Sequence, residues 1–320
     1  MRANANVVTA ISIGLMALGT GLASAQTAPS GSGQIYPNKP IRIVTAPPGG
    51  GGDTVARLIA QNISISLGQP VVVDNRGGVV SADIVAKARP DGYTLLSYGA
   101  EVWLRPFLQS NTPYDPVRDY APITLSLSSP GILVVHPSLP VKSVKELIAY
   151  AKTRNGELNY AMSTIGASQH LAAELFKVMA GVNITRVAYK GSAPANNSLL
   201  AGETHLAFPP APSVMPYVKS GKLTALAITS STPSALAPGI PTLSASGLTG
   251  FHTTSVYGML APAGTPVKII NQLNQEIVRG INKADVKEKF FNLGLEVVGN
   301  TPEQFAVMIK SEMARMGKVI

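Results

Sequence analysis

Four consecutive glycines, Gly49 to Gly52, join an apolar run to an amphipathic one, and this junction constrains the fold more than any other segment. Ile41 to Val44 reads as a buried strand. Val55, Leu58, Ile59, Ile63 and Leu67 then recur at helical spacing. Strand, glycine loop and helix start together make a site for an anion. Glycine lets the backbone approach a ligand closely, and the free N–H groups and dipole of a first helical turn favour negative charge. The usual phosphate loops do not fit. No Lys follows Gly52 as a P-loop requires, and four glycines followed by Asp53 do not give Gly-x-Gly-x-x-Gly. Taken alone, the loop fits equally well a bare helix start with Asp53 as its N-cap.

The N-terminus has the grammar of a secretory signal. Arg2 is followed by an apolar, small-residue stretch from Val7 to Leu22, then Ala23-Ser24-Ala25 before Gln26. Residues 1–25 are therefore expected to be a signal peptide and 26–35, rich in Ser, Gly and Ala, a flexible lead-in. No Cys follows the apolar run, which excludes a lipoprotein anchor, and the run is short for a membrane span. The chain has no cysteine at all, which excludes disulfides and thiol catalysis. A net charge of +9 is spread without a basic cluster, and aromatics are sparse at 6%, so nucleic acid is not an expected partner. A mild positive field suits either solubility or the steering of a small acidic ligand.

Strand and helix patterns alternate along the rest of the chain. Strands are expected at 70–74, 93–97, 132–136, 158–162, 184–189, 206–208 and 223–229. Helices are expected at 81–88, 143–153, 170–180, 194–201, 267–282, 284–293 and 301–316. Ser143 with Glu146 three residues on forms a capping box, and Gly181 follows its helix as a C′ glycine. The segment 230–250, rich in Ser, Pro, Gly and Thr, reads as a surface loop. The alternation argues for an α/β architecture with mainly parallel sheets.

The opening arrangement recurs twice. Ser163-Thr164-Ile165-Gly166-Ala167-Ser168 and Lys190-Gly191-Ser192-Ala193-Pro194 each lie between a strand and a helix. Small hydroxyl and glycine residues at several strand ends supply many N–H and O–H donors and few formal charges, which suits a carboxylate held by dipoles. Enzyme readings are poor. His170 and Glu174 stand four apart on a helix, but two metal ligands without a third are weak. Ser168 lacks a Gly-x-Ser-x-Gly elbow, and Asp74, Asp91 and Asp115 lie in turn contexts.

A series of motifs sharpens this. Tyr36-Pro-x-Lys-Pro-Ile-Arg, Pro47-Pro-Gly-Gly-Gly-x-Asp53, Gly68-Gln-Pro-Val-Val-Val-Asp-Asn-Arg76, Pro90-Asp-Gly-Tyr-Thr-Leu-Leu96, Tyr114-Asp-Pro116, Val134-Val-His-Pro137, Gln169-His-Leu171, Tyr189-Lys-Gly-x-Ala-Pro194 and Ala261-Pro-Ala-Gly-Thr-Pro266 occur in order. From about Tyr36 to its end the chain resembles the substrate-binding receptors of tripartite tricarboxylate transporters, the Bug receptors. The resemblance implies a periplasmic binding protein type II-like fold of two α/β domains joined by crossing strands, with a ligand cleft between them. It places domain 1 at 36–127 with 251–320, and domain 2 at 128–250. It implies a periplasmic protein without catalysis; no metal or cofactor is expected, and a monomer is expected because closure of two domains needs no partner. Such a receptor closes on a small organic mono-, di- or tricarboxylate and delivers it to integral-membrane permease subunits. The alternative is a sensor of the same fold that acts on a membrane kinase.

The expected ligand-binding residues are Pro48, Gly49, Gly50, Asp53, Ser97, Gly99, Ser163, Thr164, Gly166, Ser168, Gly191 and Pro209. Departures from the family pattern cluster around them. Thr45-Ala46 replace the usual Pro-Phe, which should widen that wall. The loop after Arg76 is short. Pro209-Pro210 stand where an Asp often contacts the distal end of a ligand. Glu101 and Arg105 occupy positions that are usually small or amide, and Arg105 is either a partner for a second carboxylate or an exposed Arg.

Overall fold

The computed structural model describes residues 36–48, 51–163 and 166–320. The expected signal peptide and lead-in, and the site residues Gly49, Gly50 and Thr164, lie outside the described residues. The elements in chain order are β1 (Ile41–Thr45), α1 (Gly51–Leu67), β2 (Val71–Asn75), α2 (Gly78–Ala86), β3 (Thr94–Tyr98), α3 (Glu101–Leu108), β4 (Tyr120–Pro130) and β5 (Ile132–Val135). There follow α4 (Val144–Thr153), β6 (Asn159–Met162), α5 (Ser168–Ala180), β7 (Thr185–Ala188), α6 (Ser192–Leu200), β8 (Leu206–Ala207), α7 (Ala211–Lys219) and β9 (Thr224–Ile228). The chain ends with β10 (Thr254–Pro262), α8 (Val267–Ile281), α9 (Ala284–Asn292), β11 (Glu296–Val297) and α10 (Pro302–Met316).

The strands form two sheets, ordered β11-β4-β10-β3-β1-β2 and β7-β6-β8-β5-β9. Both are mixed, which corrects the expectation of mainly parallel sheets. In the first, β1 pairs in parallel with β2 and β3, while β10 runs antiparallel to β3 and β4. In the second, β6 is parallel to β7 and β8, and β5 is antiparallel to β8 and β9. Helices alone do not impose parallel pairing. The two long strands β4 and β10 carry the chain between the sheets in opposite directions, and they bring antiparallel neighbours with them.

Helices cover both faces of each sheet, so the inner strands are apolar on both sides, while the edge strands β2 and β7 are partly exposed. In β5 the four residues are fully buried and alternate strictly: Leu133 and Val135 join one core, Ile132 and Val134 the other. In β1, Ile41 and Ile43 pack with Ile59 and Ile63 of α1, while Val44 faces the layer that holds Trp103, Phe305 and Ile309. β10 shows no polar–apolar alternation in sequence for that reason, whereas β4 carries one from Ile123 to Ser128 that the sequence reading does not use.

The chain passes from β4 to β5 through the single residue Gly131 and returns between β9 and β10. Three hydrogen bonds fasten this crossing. Gly131 N–H donates to Thr229 Oγ1 at 2.8 Å, Thr229 N–H to the Gly131 carbonyl at 2.9 Å, and Thr253 N–H to the Thr229 carbonyl at 2.9 Å. A Cβ on Gly131 would meet the Phe208 carbonyl at 3.2 Å, so glycine lets the strands approach here. The return segment is irregular, as expected for 230–250, but it is not merely a surface loop: Leu243, Leu248 and Phe251 bury their side chains in the second sheet's core.

Local capping follows the sequence in part. Ser143 accepts the Glu146 N–H at 3.2 Å, but the Glu146 carboxylate accepts from Lys142 N–H rather than Ser143, so the box is half formed. Gly181 ends α5 in the left-handed region at φ 61°, as the C′ position requires.

Candidate functional site

Where the parallel strands end, the chain leaves small residues and helix starts. After β1, Ala46, Pro47 and Pro48 lead towards Gly51 and Gly52 at the start of α1. After β3, Gly99 and Ala100 lead to Glu101 at the start of α3. After β6, Gly166 and Ala167 precede Ser168, the first residue of α5. After β7, Gly191 at φ 112° turns the chain into Ser192, the first residue of α6. Strand ends of an α/β sheet are where helix N-termini and loops can converge on a ligand. Here all four helix starts reach one cavity of about 500 Å³. Thr253 to Tyr257, and Glu312 and Met316 of α10, also line it.

Hydrogen bonds hold the walls. Thr45 Oγ1 donates to the Ser97 carbonyl at 2.8 Å, which ties the end of β1 to that of β3. Asn75 Nδ2 donates both to the Ala46 carbonyl at 2.7 Å and to Asp53 Oδ1 at 2.8 Å. Asp53 is therefore the third residue of α1 and not its cap. Its buried carboxylate pairs with Arg57 Nε at 2.8 Å, which anchors the glycine loop from behind. Ser168 Oγ and Ser255 Oγ lie 2.6 Å apart, joining α5, which packs on the second sheet, to β10 of the first. Glycine is needed where walls touch. A Cβ on Gly51 would sit 2.6 Å from Tyr257 Oη, and one on Gly166, at φ 84°, would sit 2.6 Å from Leu108 Cδ1.

Among the described residues, the lining has two carboxylates and no Lys, Arg or His. Glu101 is exposed to the cavity, and its carboxylate lies against Gly99. Burial raises the carboxyl above its ordinary value, and the nearby Glu312 adds to the rise. Burial likewise raises Glu312, although the Trp103 indole N–H, donating at 2.7 Å, pulls the other way. Tyr98 and Tyr257 are raised by burial first and then by Glu101. Below the cavity His170 is held under the usual imidazole value by burial. Gly166 N–H approaches its Nδ1 at 3.2 Å and Arg186 its Nε2 at 3.1 Å. A neutral ring has one acceptor nitrogen, so only one of these donors is satisfied at a time. Glu174 is taken by Tyr160 at 2.6 Å and Lys177 at 2.8 Å. Among the described residues no three His, Cys, Asp or Glu side chains are grouped to hold a metal ion.

Of the expected site residues, Pro48, Ser97, Gly99, Gly166 and Ser168 line the cavity. Asp53, Ser163, Gly191 and Pro209 are not among its described lining residues. Asp53 is spent on Arg57 and Asn75, and the Pro209 carbonyl accepts the Ile132 N–H at 2.9 Å. Arg105 bonds to Gln109 along α3 and stays out of the lining. Ser192 lies in a loop that the sequence singles out, but the Thr253–Tyr257 wall, Glu312 and Met316 were missed. The only available signal was the hydroxyl-rich run Thr253-Thr254-Ser255, which was not tied to a strand end.

Two α/β sheets joined at crossing strands, with a ligand-sized cavity at their strand ends, define the class of two-lobed solute-binding receptors. The chain belongs to the tripartite tricarboxylate transporter family of receptors, whose model matches residues 55–320. Protein BugT of Bordetella pertussis (strain Tohama I) is 38% identical over 312 residues, which cover 96% of each chain. Among solved structures, R. palustris Rpa4515 with adipate has a TM-score of 0.74 at 35% identity, covering 89% of this chain and 97% of that one. MatC from Rhodopseudomonas palustris with bound malate has a TM-score of 0.71 at 30% identity, covering 89% and 99%. The fold is the periplasmic binding protein type II-like arrangement of these neighbours, and the family is one of receptors, not enzymes. Among the described residues no helix is long and apolar enough to cross a membrane.

Proposed function

We propose that this protein is a periplasmic receptor that captures a small organic carboxylate by closing two lobes, 36–127 with 251–320 and 128–250, and delivers it to integral-membrane permease subunits. One observation carries the reading: a cavity at which four helix N-termini and the hydroxyls of Ser97, Ser168, Ser192, Thr253, Thr254 and Ser255 meet without a single lining cation among the described residues. Helix dipoles, N–H groups and hydroxyls can hold a carboxylate without a buried ion pair, so its desolvation is offset by fixed dipoles. The adipate and malate bound to the two solved relatives support the same ligand class. Gly49, Gly50 and Thr164, placed by sequence in the same two loops, belong to this grip. The Ala-Ser-Ala signal at 23–25 supports export, and the short Gly131–Thr229–Thr253 crossing is the link about which two lobes can close.

The test is a carboxylate panel against the purified mature chain, unfolded and refolded to strip bound ligand, read by calorimetry and small-angle scattering. Binding of at least one member, with a smaller radius of gyration in the bound state, supports the reading. No binding across mono-, di- and tricarboxylates refutes it. Cells lacking tripartite-type permease subunits, if they still take up the ligand at the wild-type rate, refute the delivery step.

A further inference from the structure

The cavity is poorly matched to a ligand that is acidic at both ends. Glu101 and Glu312 are the only charged side chains among its described lining residues. Glu101 stands on the wall built by residues 97–101, and the hydrogen bond that holds its carboxylate is from its own backbone N–H. Glu312 reaches the same space from α10, with one oxygen on the Trp103 indole at 2.7 Å. Arg105 bonds to Gln109 just beyond α3 and stays out of the lining, and Arg315, whose Nη1 is buried without a partner among the described residues, lines a neighbouring cavity with His252 and Glu312 and opposes the rise of the Glu312 carboxyl. A second carboxylate on the ligand would therefore meet Glu101 with no cation in the described lining, and Glu312 only partly offset by Arg315. A cationic nitrogen would meet two carboxyl acceptors on the cavity wall, and charge-assisted hydrogen bonds are the stronger kind.

The two ends of the cavity are linked by named contacts. Tyr257, whose hydroxyl sits against Gly51 at the start of α1, also lies within electrostatic reach of Glu101. Gly99 clears the way, since a Cβ there would collide with the Glu101 carboxylate and lie 2.8 Å from the Val256 carbonyl. We propose that the ligand is an amino-carboxylate, its acid end held at the helix starts of α1 and α5 and its protonated amine paired with Glu101, with Glu312 beside it. This rests on the carboxylate-receptor reading above and names the chemistry of the ligand's other end. Burial raises both carboxyls, and an arriving ammonium group would act in the opposite direction and lower them.

The experiment compares three series on ligand-stripped wild-type protein by calorimetry at neutral pH. These are β-alanine, γ-aminobutyrate, δ-aminovalerate and ε-aminocaproate; the diacids succinate, glutarate and adipate; and the plain acids butyrate and valerate. The best amino acid is expected to bind about 10- to 100-fold more tightly than the diacid of matching length, the range a charge-assisted bond in place of a repulsion supplies. Glu101→Gln, checked for folding by its thermal transition, should bring the two within roughly threefold of each other. A diacid that binds wild-type protein as tightly as the amino acid overturns the inference without needing the variant, and leaves the receptor reading standing. An unchanged ratio in folded Glu101→Gln overturns it too. If no acid of any series binds, the inference falls, while the receptor reading is decided by the wider carboxylate panel.

Discussion

Gly166→Ala tests whether the loop before α5 is a positioned binding element or only a connection. Gly166 lies at φ 84°, where an L residue costs about 1–2 kcal/mol. Its new Cβ would also meet Leu108 Cδ1 at 2.6 Å. Leu108 is half-buried and this atom is the free end of its side chain, so a rotamer change absorbs most of the overlap. The backbone term therefore dominates, and a destabilisation of about 1–2 kcal/mol corresponds to a fall of about 2–4 °C in melting temperature per kcal/mol. If the loop relieves the strain by leaving the left-handed region, it rotates the donors at the start of α5 away from the cavity. Ligand affinity then falls by up to about tenfold for each 1.4 kcal/mol so diverted. Gly181→Ala is the control. It sits at φ 61° at the other end of the same helix, with nothing within 4 Å of the new Cβ. Both variants should melt earlier in scanning calorimetry, and only Gly166→Ala should weaken carboxylate binding in titration calorimetry. Equal Kd values for Gly166→Ala and wild type, or an equal loss in Gly181→Ala, would refute the reasoning.

Gly258→Ala should overpack the layer behind the cavity, because its Cβ would lie 2.9 Å from Phe305 Cε1 and closer still to Cζ. Phe305 is fully buried against Trp103, so a loss of about 1–3 kcal/mol is expected in a denaturant titration, and a neutral result contradicts the packing. Asp53→Ala removes the partner of Arg57 and Asn75 and should cost about 1–3 kcal/mol. Its effect on Kd should follow only from loosening of the Ala46 loop, so complete loss of binding in a variant of native stability would make Asp53 a direct ligand contact instead. The raised carboxyl of Glu101 gives a pH prediction. The ionised group is disfavoured in the folded chain, so its penalty is present above the folded pKa and is relieved as pH falls towards the ordinary value of 4.5. Glu101→Gln should thus melt higher than wild type at pH 8, with the advantage shrinking towards pH 5. A difference that does not vary with pH would count against it.

Much of the local structure is legible from residues alone. The Ile41–Val44 strand, the spacing from Val55 to Leu67, the Ser143 cap and the Gly181 terminator each appear where their chemistry places them. These signals act within one or two turns of chain, so sequence distance and spatial distance coincide. The elements that escaped notice lack such signals. α3 contains Pro106 and α7 contains Pro216, which disguise them as loops. β10 sits between β3 and β4 with both faces covered, and its Val256, Met259, Leu260 and Ala261 alternate between two apolar layers, not between apolar and polar.

The site divides in the same way. The sequence by itself determined that strand ends carry glycines and hydroxyls ahead of helices, because a tight strand-to-helix turn and an uncapped first turn demand such residues in the local chain. It also determined the family, through short motifs that need no tertiary reading. Only the tertiary structure decided which of those turns share a cavity, that Asp53 faces Arg57 and Asn75, and that Arg105 stays outside. Above all it brought Glu312 to Glu101 and Ser255 to Ser168, from residues far apart along the chain. Charge pairing across a cavity depends on which surfaces the crossing strands β4 and β10 bring face to face, and no periodicity in a single segment records that.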